Sequence, residues 1–170
     1  HGTIENYFEA KVKLFTSYPN SCAAVINIDN EYGREIADRC TVPVISTSMF
    51  SETDISFLNY NISLNGIHGI IQAGKISYNI KSSMIGAFNA ENILCATATS
   101  NTMGVSKEAI EKGIELCRSI PGRMETFPLR SGGNALVDYA HTPDAYEKVL
   151  STIKEIMIDT KANIYIVFGC

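Results

Sequence analysis

The chain has 170 residues, 45% of them apolar, a formal net charge of -4 and a sequence pI near 5.4. This length allows one domain, or one domain with part of another, around a true core, and without a block of Lys or Arg it offers no electrostatic footprint for nucleic acid. No apolar run approaches the roughly 18 residues that cross a bilayer, and the start lacks the regions of a signal peptide, so a cytoplasmic protein without a membrane partner is expected.

From Thr3 to Ser17, Ile4, Tyr7, Phe8, Val12, Leu14 and Phe15 recur largely at helical spacing, which predicts an amphipathic helix capped by Thr3. Cys22 to Ile28 is a short apolar run and predicts a strand buried on both faces of a parallel sheet. A helix from Glu31 to Arg39 and a strand near Pro43 to Ser46 continue a β-α-β alternation. Between Ile55 and Lys81 the period falls to near two, with reversals at Asn65-Gly66 and Gly74-Lys75, predicting three short antiparallel strands.

Helical patterns return over Phe88–Thr99 and Lys107–Ser119, and Pro121-Gly122 then breaks the chain. A strand, turn and strand around Ser131-Gly132-Gly133-Asn134, a helix from Pro143 to Ile158 and a strand from Ile164 to Phe168 complete the series. The predicted class is α/β: a mostly parallel sheet with flanking helices and a small antiparallel subsheet, then the first β-α-β part of a Rossmann-like second domain. The boundary falls at Pro121-Gly122, giving 1–121 and 122–170.

Cys22, Cys40, Cys95, Cys117 and Cys170 are scattered, with no CxxC pair and no His at a metal-ligand offset. Reduced thiols packed as small hydrophobes are expected, and no zinc site.

Asn89 and Asn92 lie three apart at a helix start, so both amides fall on one face. A carboxamide can pair with N7 and the exocyclic amine of adenine; an N-cap and an ordinary polar helix position are the plainer alternative. Arg123 could stack on a base or hold a phosphate, or simply sit solvated in a linker, and Glu125 is placed to orient it by a paired hydrogen bond. Asp138 ends a short strand, where a carboxylate can accept from ribose hydroxyls or act as a turn residue. Thr142, Pro143 and Asp144 make a strong helix start, whose free amides, with His141 beside them, suit a phosphoryl group.

Gly86-Ala87-Phe88-Asn89-Ala90-Glu91-Asn92, then Gly122-Arg123-Met124-Glu125, then Val137-Asp138-Tyr139-Ala140-His141-Thr142-Pro143-Asp144 recur in this order. Together they resemble the Mur ligase family, in its MurE type, and the likeness runs from His1-Gly2-Thr3-Ile4-Glu5-Asn6-Tyr7 to Val167-Phe168-Gly169-Cys170. The resemblance implies an internal fragment: most of the central ATP-binding domain without its phosphate loop, and the start of the C-terminal domain. It further implies that Asn89 and Asn92 meet adenine, that Arg123 contacts ATP, that Asp138 meets the ribose and that His141 lies near the phosphates.

For the whole enzyme it implies an ATP-dependent ligase of peptidoglycan synthesis, cytoplasmic and monomeric. That enzyme adds meso-diaminopimelate or L-lysine to UDP-MurNAc-L-Ala-D-Glu through an acyl phosphate. Magnesium is implied as well, with its ligands mainly outside this stretch; His1 resembles the last histidine of a magnesium-linked segment but is not assigned as a ligand. His68 reads as structural.

No G-x-x-x-x-G-K-[ST] loop occurs in the chain, so the fragment alone is expected to be inactive. A non-catalytic nucleotide-binding or interaction module on the same scaffold is the alternative of a different class, and a superfamily ligase such as cyanophycin synthetase or folylpolyglutamate synthase is the alternative enzyme.

Overall fold

The computed structural model describes residues 2–17, 22–158 and 162–169. His1 and Cys170 lie outside the described residues, as does the side chain of Asp144.

Helix α1 (Ile4–Thr16) opens on Thr3, whose hydroxyl accepts the Asn6 N–H. Strand β1 (Ala24–Asn27) leads to α2 (Glu31–Arg39), where Asn30 caps the helix by accepting the Gly33 N–H at 2.9 Å. Gly33 is pressed so close to β1 that an added Cβ would lie 1.9 Å from the Asn27 carbonyl oxygen, so glycine lets this helix reach the sheet. The Arg39 fork on both oxygens of Glu9, at 2.7 and 2.8 Å, ties α1 to α2.

Strand β2 (Val44–Ser48) pairs with β1 in parallel, and β3 (Ile55–Ser63) pairs with β2 in parallel although only residues 49–54 join them. Parallel neighbours ordinarily need a crossover of a dozen or more residues. Here the ladder is two pairs long, Thr47 with Ile55 and Ser48 with Ser56, and Asp54 clamps the return by accepting from the backbone N–H of Ser46 at 2.8 Å and its hydroxyl at 2.6 Å.

Strands β4 (Gly66–Ala73) and β5 (Ile76–Ser82) continue the same sheet antiparallel, giving the order β1-β2-β3-β4-β5. The expected α/β class holds, with the antiparallel strands joined to the parallel ones through β3. The first reversal lies one residue earlier than Asn65-Gly66 suggests: Leu64 and Asn65 form the turn, and the positive φ of 116° falls on Gly66 at the head of β4.

Helices α3 (Ala87–Thr102) and α4 (Lys107–Leu116) cover one face of this sheet. Ala90, Ile93, Leu94, Thr97 and Ala98 recur at three- and four-residue intervals along α3 and are buried, and the apolar ones meet Ile67, Ile71, Tyr78 and Ile80 of the sheet. Glu111 of α4 accepts the Asn79 N–H at 2.6 Å and so occupies a donor on the exposed edge of β5.

Beyond Gly122, β6 (Glu125–Pro128) and β7 (Asn134–Val137) form a two-stranded antiparallel hairpin, followed by α5 (Pro143–Ile156). The expected strand Ile164 to Phe168 is not formed. Its apolar run has strand-like composition, but a strand needs a neighbour for its N–H and C=O groups, and none of the described residues pairs with it. Val167 is 98% exposed, and Phe168 makes an edge contact with Tyr146 of α5 at 6.0 Å. The predicted β-α-β is therefore a hairpin and a helix here. A small cluster of Ile85, Met124 and Ile153, with Phe88, Leu136 and Val149 packed on it, joins this part to the start of α3.

Candidate functional site

The turn between the two parts has unusual backbone on both sides of Arg123. Gly122 has φ 68° and Met124 has φ 48°, the latter costing a residue with a side chain about 1–2 kcal/mol. Three contacts compensate. The Met124 side chain is buried among Ile85 and Ile153, its N–H donates to Asp138 Oδ2 at 2.9 Å, and the Tyr139 N–H donates to the Gly122 carbonyl at 2.9 Å. The Tyr139 ring lies over Gly122, where a Cβ would stand 2.3 Å from the ring, so Gly122 is required for both its φ and its lack of a side chain.

Asp138 spends its other oxygen on the Ala140 N–H at 2.8 Å. Each carboxylate oxygen keeps a second lone pair, so the acid can still accept from a ligand hydroxyl. Glu125 does not orient Arg123 as its spacing suggested. Its oxygens accept from the Gly122 N–H and the Ser119 hydroxyl, both at 3.3 Å, and no ion pair joins it to Arg123. Arg123 is exposed, its own N–H donates to Ile120 O at 3.0 Å, and its side chain lines a cleft of about 400 Å³ with Asn65, Met84 and Met124.

The two asparagines differ in depth. Asn89 is 0% exposed, while Asn92 is exposed and lines a cleft of about 310 Å³ between α3 and α4 with Ala96, Ile110 and Ile120. Met84 lines both clefts, which places the Asn92 cleft next to the Arg123 cleft. The Asn89 amide donates to Ile85 O at 2.8 Å; because a carbonyl only accepts, this fixes the nitrogen and leaves the buried Oδ1 without a partner. A buried acceptor left unsatisfied costs about 1–3 kcal/mol, which a donor from a ligand or a water would recover.

His141 is exposed, and its Nδ1 lies 2.9 Å from Tyr139 O, so Nδ1 carries a hydrogen. Thr142 caps α5 by accepting the Ala145 N–H at 3.3 Å, with Pro143 in the first turn. Asp138, His141 and Arg123 thus share one turn region, Asn92 lines the adjoining cleft, and Asn89 lies beneath the surface.

Sequence reading missed a polar group at the carboxyl ends of β1 and β2. Asp29 accepts from the Ser48 hydroxyl, from the Met49 N–H at 2.9 Å and from the Asn27 amide at 3.2 Å. Burial pushes the Glu91 carboxyl above its ordinary range, nearby Asp29 adds to this, and Lys148 of α5 draws it back. Burial likewise raises the Cys95 thiol. The available signal was Asn27-x-Asp29 at the end of a parallel strand, the edge where open α/β sheets bind ligands. Among the described residues no group of three or more His, Cys, Asp or Glu is placed to hold a metal, and no helix is long and apolar enough to cross a membrane.

The structure is an α/β sheet followed, past a glycine turn, by a hairpin and a helix, with polar side chains gathered at the turn. Residues 1–100 match the Mur ligase middle domain and residues 122–170 the Mur ligase glutamate ligase domain, and the chain belongs to the Mur ligase family. It is 38% identical to the UDP-N-acetylmuramoyl-L-alanyl-D-glutamate--2,6-diaminopimelate ligase of Geobacter metallireducens, over 100% of this chain and 34% of that protein. A solved structure of a ligase of the same name covers 91% of this chain and 32% of its own, with a TM-score of 0.75 and 29% identity. MurF from Acinetobacter baumannii, at 17% identity, shares the fold, with a TM-score of 0.78 over 94% of this chain and 34% of its own. The chain spans about a third of the length of the curated relatives it matches.

Proposed function

We propose that the chain is the nucleoside-holding stretch of an ATP-dependent ligase that adds a diamino acid to UDP-MurNAc-L-Ala-D-Glu in peptidoglycan synthesis. Residues 1–121 form part of its central domain and 122–170 the start of its C-terminal domain. The enzyme is cytoplasmic and monomeric. The observation that carries this reading is the collinear match of middle and glutamate ligase models, with a named diaminopimelate ligase aligned over the whole chain.

In the reaction, the γ-carboxylate of the D-Glu residue attacks the γ-phosphorus of ATP and releases ADP. The amine of the diamino acid then attacks the resulting acyl phosphate, forming the amide and releasing phosphate. Such chemistry depends on positioning and charge stabilisation. This chain's share is the nucleoside end of ATP. Asn92 and the unpartnered Oδ1 of Asn89 receive adenine, Asp138 accepts from the ribose, Arg123 stacks on the base or holds a phosphate oxygen, and His141 with the α5 N-terminus faces the phosphates. Magnesium supplies charge neutralisation to phosphoryl transfer when bound. Its ligands lie mainly in other parts of the enzyme.

The test is product formation by the full-length enzyme with ATP, UDP-MurNAc-L-Ala-D-Glu and either meso-diaminopimelate or L-lysine. Equimolar ADP, phosphate and tripeptide support the reading. Nucleotide binding without any amide product would favour the non-catalytic module.

A further inference from the structure

Arg123 can serve a ligand only if its backbone is held, because Gly122 on one side tolerates either sign of φ and Met124 on the other is in a costly left-handed state. The Met124 side is fixed by Asp138 and by burial. The Gly122 side is fixed by the Tyr139 contacts, by the Arg123 N–H bond to Ile120 O at 3.0 Å and by one acidic side chain, Glu125, which reaches the Gly122 N–H and the Ser119 hydroxyl at 3.3 Å each. Either bond alone is long; together they close the segment from Ser119 to Glu125 into a ring around Arg123.

We infer that Glu125 is a positioning residue, which aims Arg123 by holding the backbone of its turn and itself touches neither the guanidinium nor the nucleotide. The inference rests on the reading that Arg123 meets ATP. It makes geometry, not charge, the property of Glu125 that matters. A glutamine can replace both bonds, its oxygen accepting from Gly122 and its amide donating to the Ser119 hydroxyl, whereas an alanine replaces neither.

The experiment is a set of steady-state measurements on the full-length enzyme carrying Glu125→Ala, Glu125→Gln, Arg123→Ala and the Arg123→Ala/Glu125→Ala pair, with the melting temperature of each. Glu125→Ala is expected to raise the KM for ATP about tenfold with kcat within about twofold, Glu125→Gln to stay near wild type, and the double variant to be no worse than Arg123→Ala alone. Equal damage by alanine and glutamine, additive effects in the double variant, or an unchanged KM in Glu125→Ala would overturn the inference. An unchanged KM in Arg123→Ala would overturn the nucleotide reading of Arg123 and the inference with it. Should Glu125→Ala fail to fold, Ser119→Ala removes one of the two bonds, and a KM for ATP raised about two- to threefold is expected. No change there, with Arg123→Ala impaired, would count against the inference.

Discussion

The two parts of the molecule are held together by different means. In the five-stranded sheet, Ile67, Ile71, Tyr78, Ile80, Leu94 and Ala98 are sealed between strands and helices in one continuous core. Past Gly122, Met124 and Ile153 are the buried apolar side chains among the described residues, and their cluster is completed by Ile85 from the other part. Within this stretch, the cluster past Gly122 is thus shared with the start of α3.

Leu94→Ala should sharpen this contrast most, costing about 2–5 kcal/mol and lowering the denaturant midpoint of the whole chain, because a fully buried leucine leaves a cavity that close packing cannot fill. Ile153→Ala should cost about 2 kcal/mol but act locally, speeding amide exchange in α5 while β3 to β5 stay protected. Uniform loss of protection would break the comparison, showing that the two parts unfold as one. Thr142→Ala should remove the cap of α5 and cost about 1 kcal/mol, again seen in α5 alone.

An effect of similar size concerns the short parallel return. Asp54→Ala should cost about 1 kcal/mol at neutral pH, since the carboxylate holds both groups of Ser46. These bonds, first that of the hydroxyl, hold the Asp54 carboxyl below its ordinary range. The stabilisation is thus present above the unfolded value and is lost as pH falls through the lower folded value. The difference between wild type and variant in chemical denaturation should therefore shrink in acid; a difference independent of pH would exclude this role.

Elements with local signals were legible in the sequence. Thr3 and Thr142 mark helix starts by chemistry that acts within three residues, and the structure puts caps at both. Period-two alternation likewise exposed β3 to β5. Pairing partners were less legible. Ile164 to Phe168 has the composition of a strand, but its partner is not encoded within it. Residues 49–54 look too short to join parallel neighbours, and only Asp54 reaching back to Ser46 explains the return. At the site, the spacing of Asn89 and Asn92 gave a shared side of α3 but not their difference in depth. Glu125 was found, but its partners are the Gly122 N–H and the Ser119 hydroxyl, which its spacing from Arg123 did not reveal.

The most direct test is a structure of the full-length enzyme with a non-hydrolysable ATP analogue. The base is expected against Asn92 and the Asn89 Oδ1, the ribose hydroxyls at Asp138, and Arg123 in contact with the nucleotide above a Gly122 turn that keeps its Glu125 bonds. A nucleoside seated away from these side chains, with Asn89 still unpartnered and Arg123 in solvent, would contradict the account.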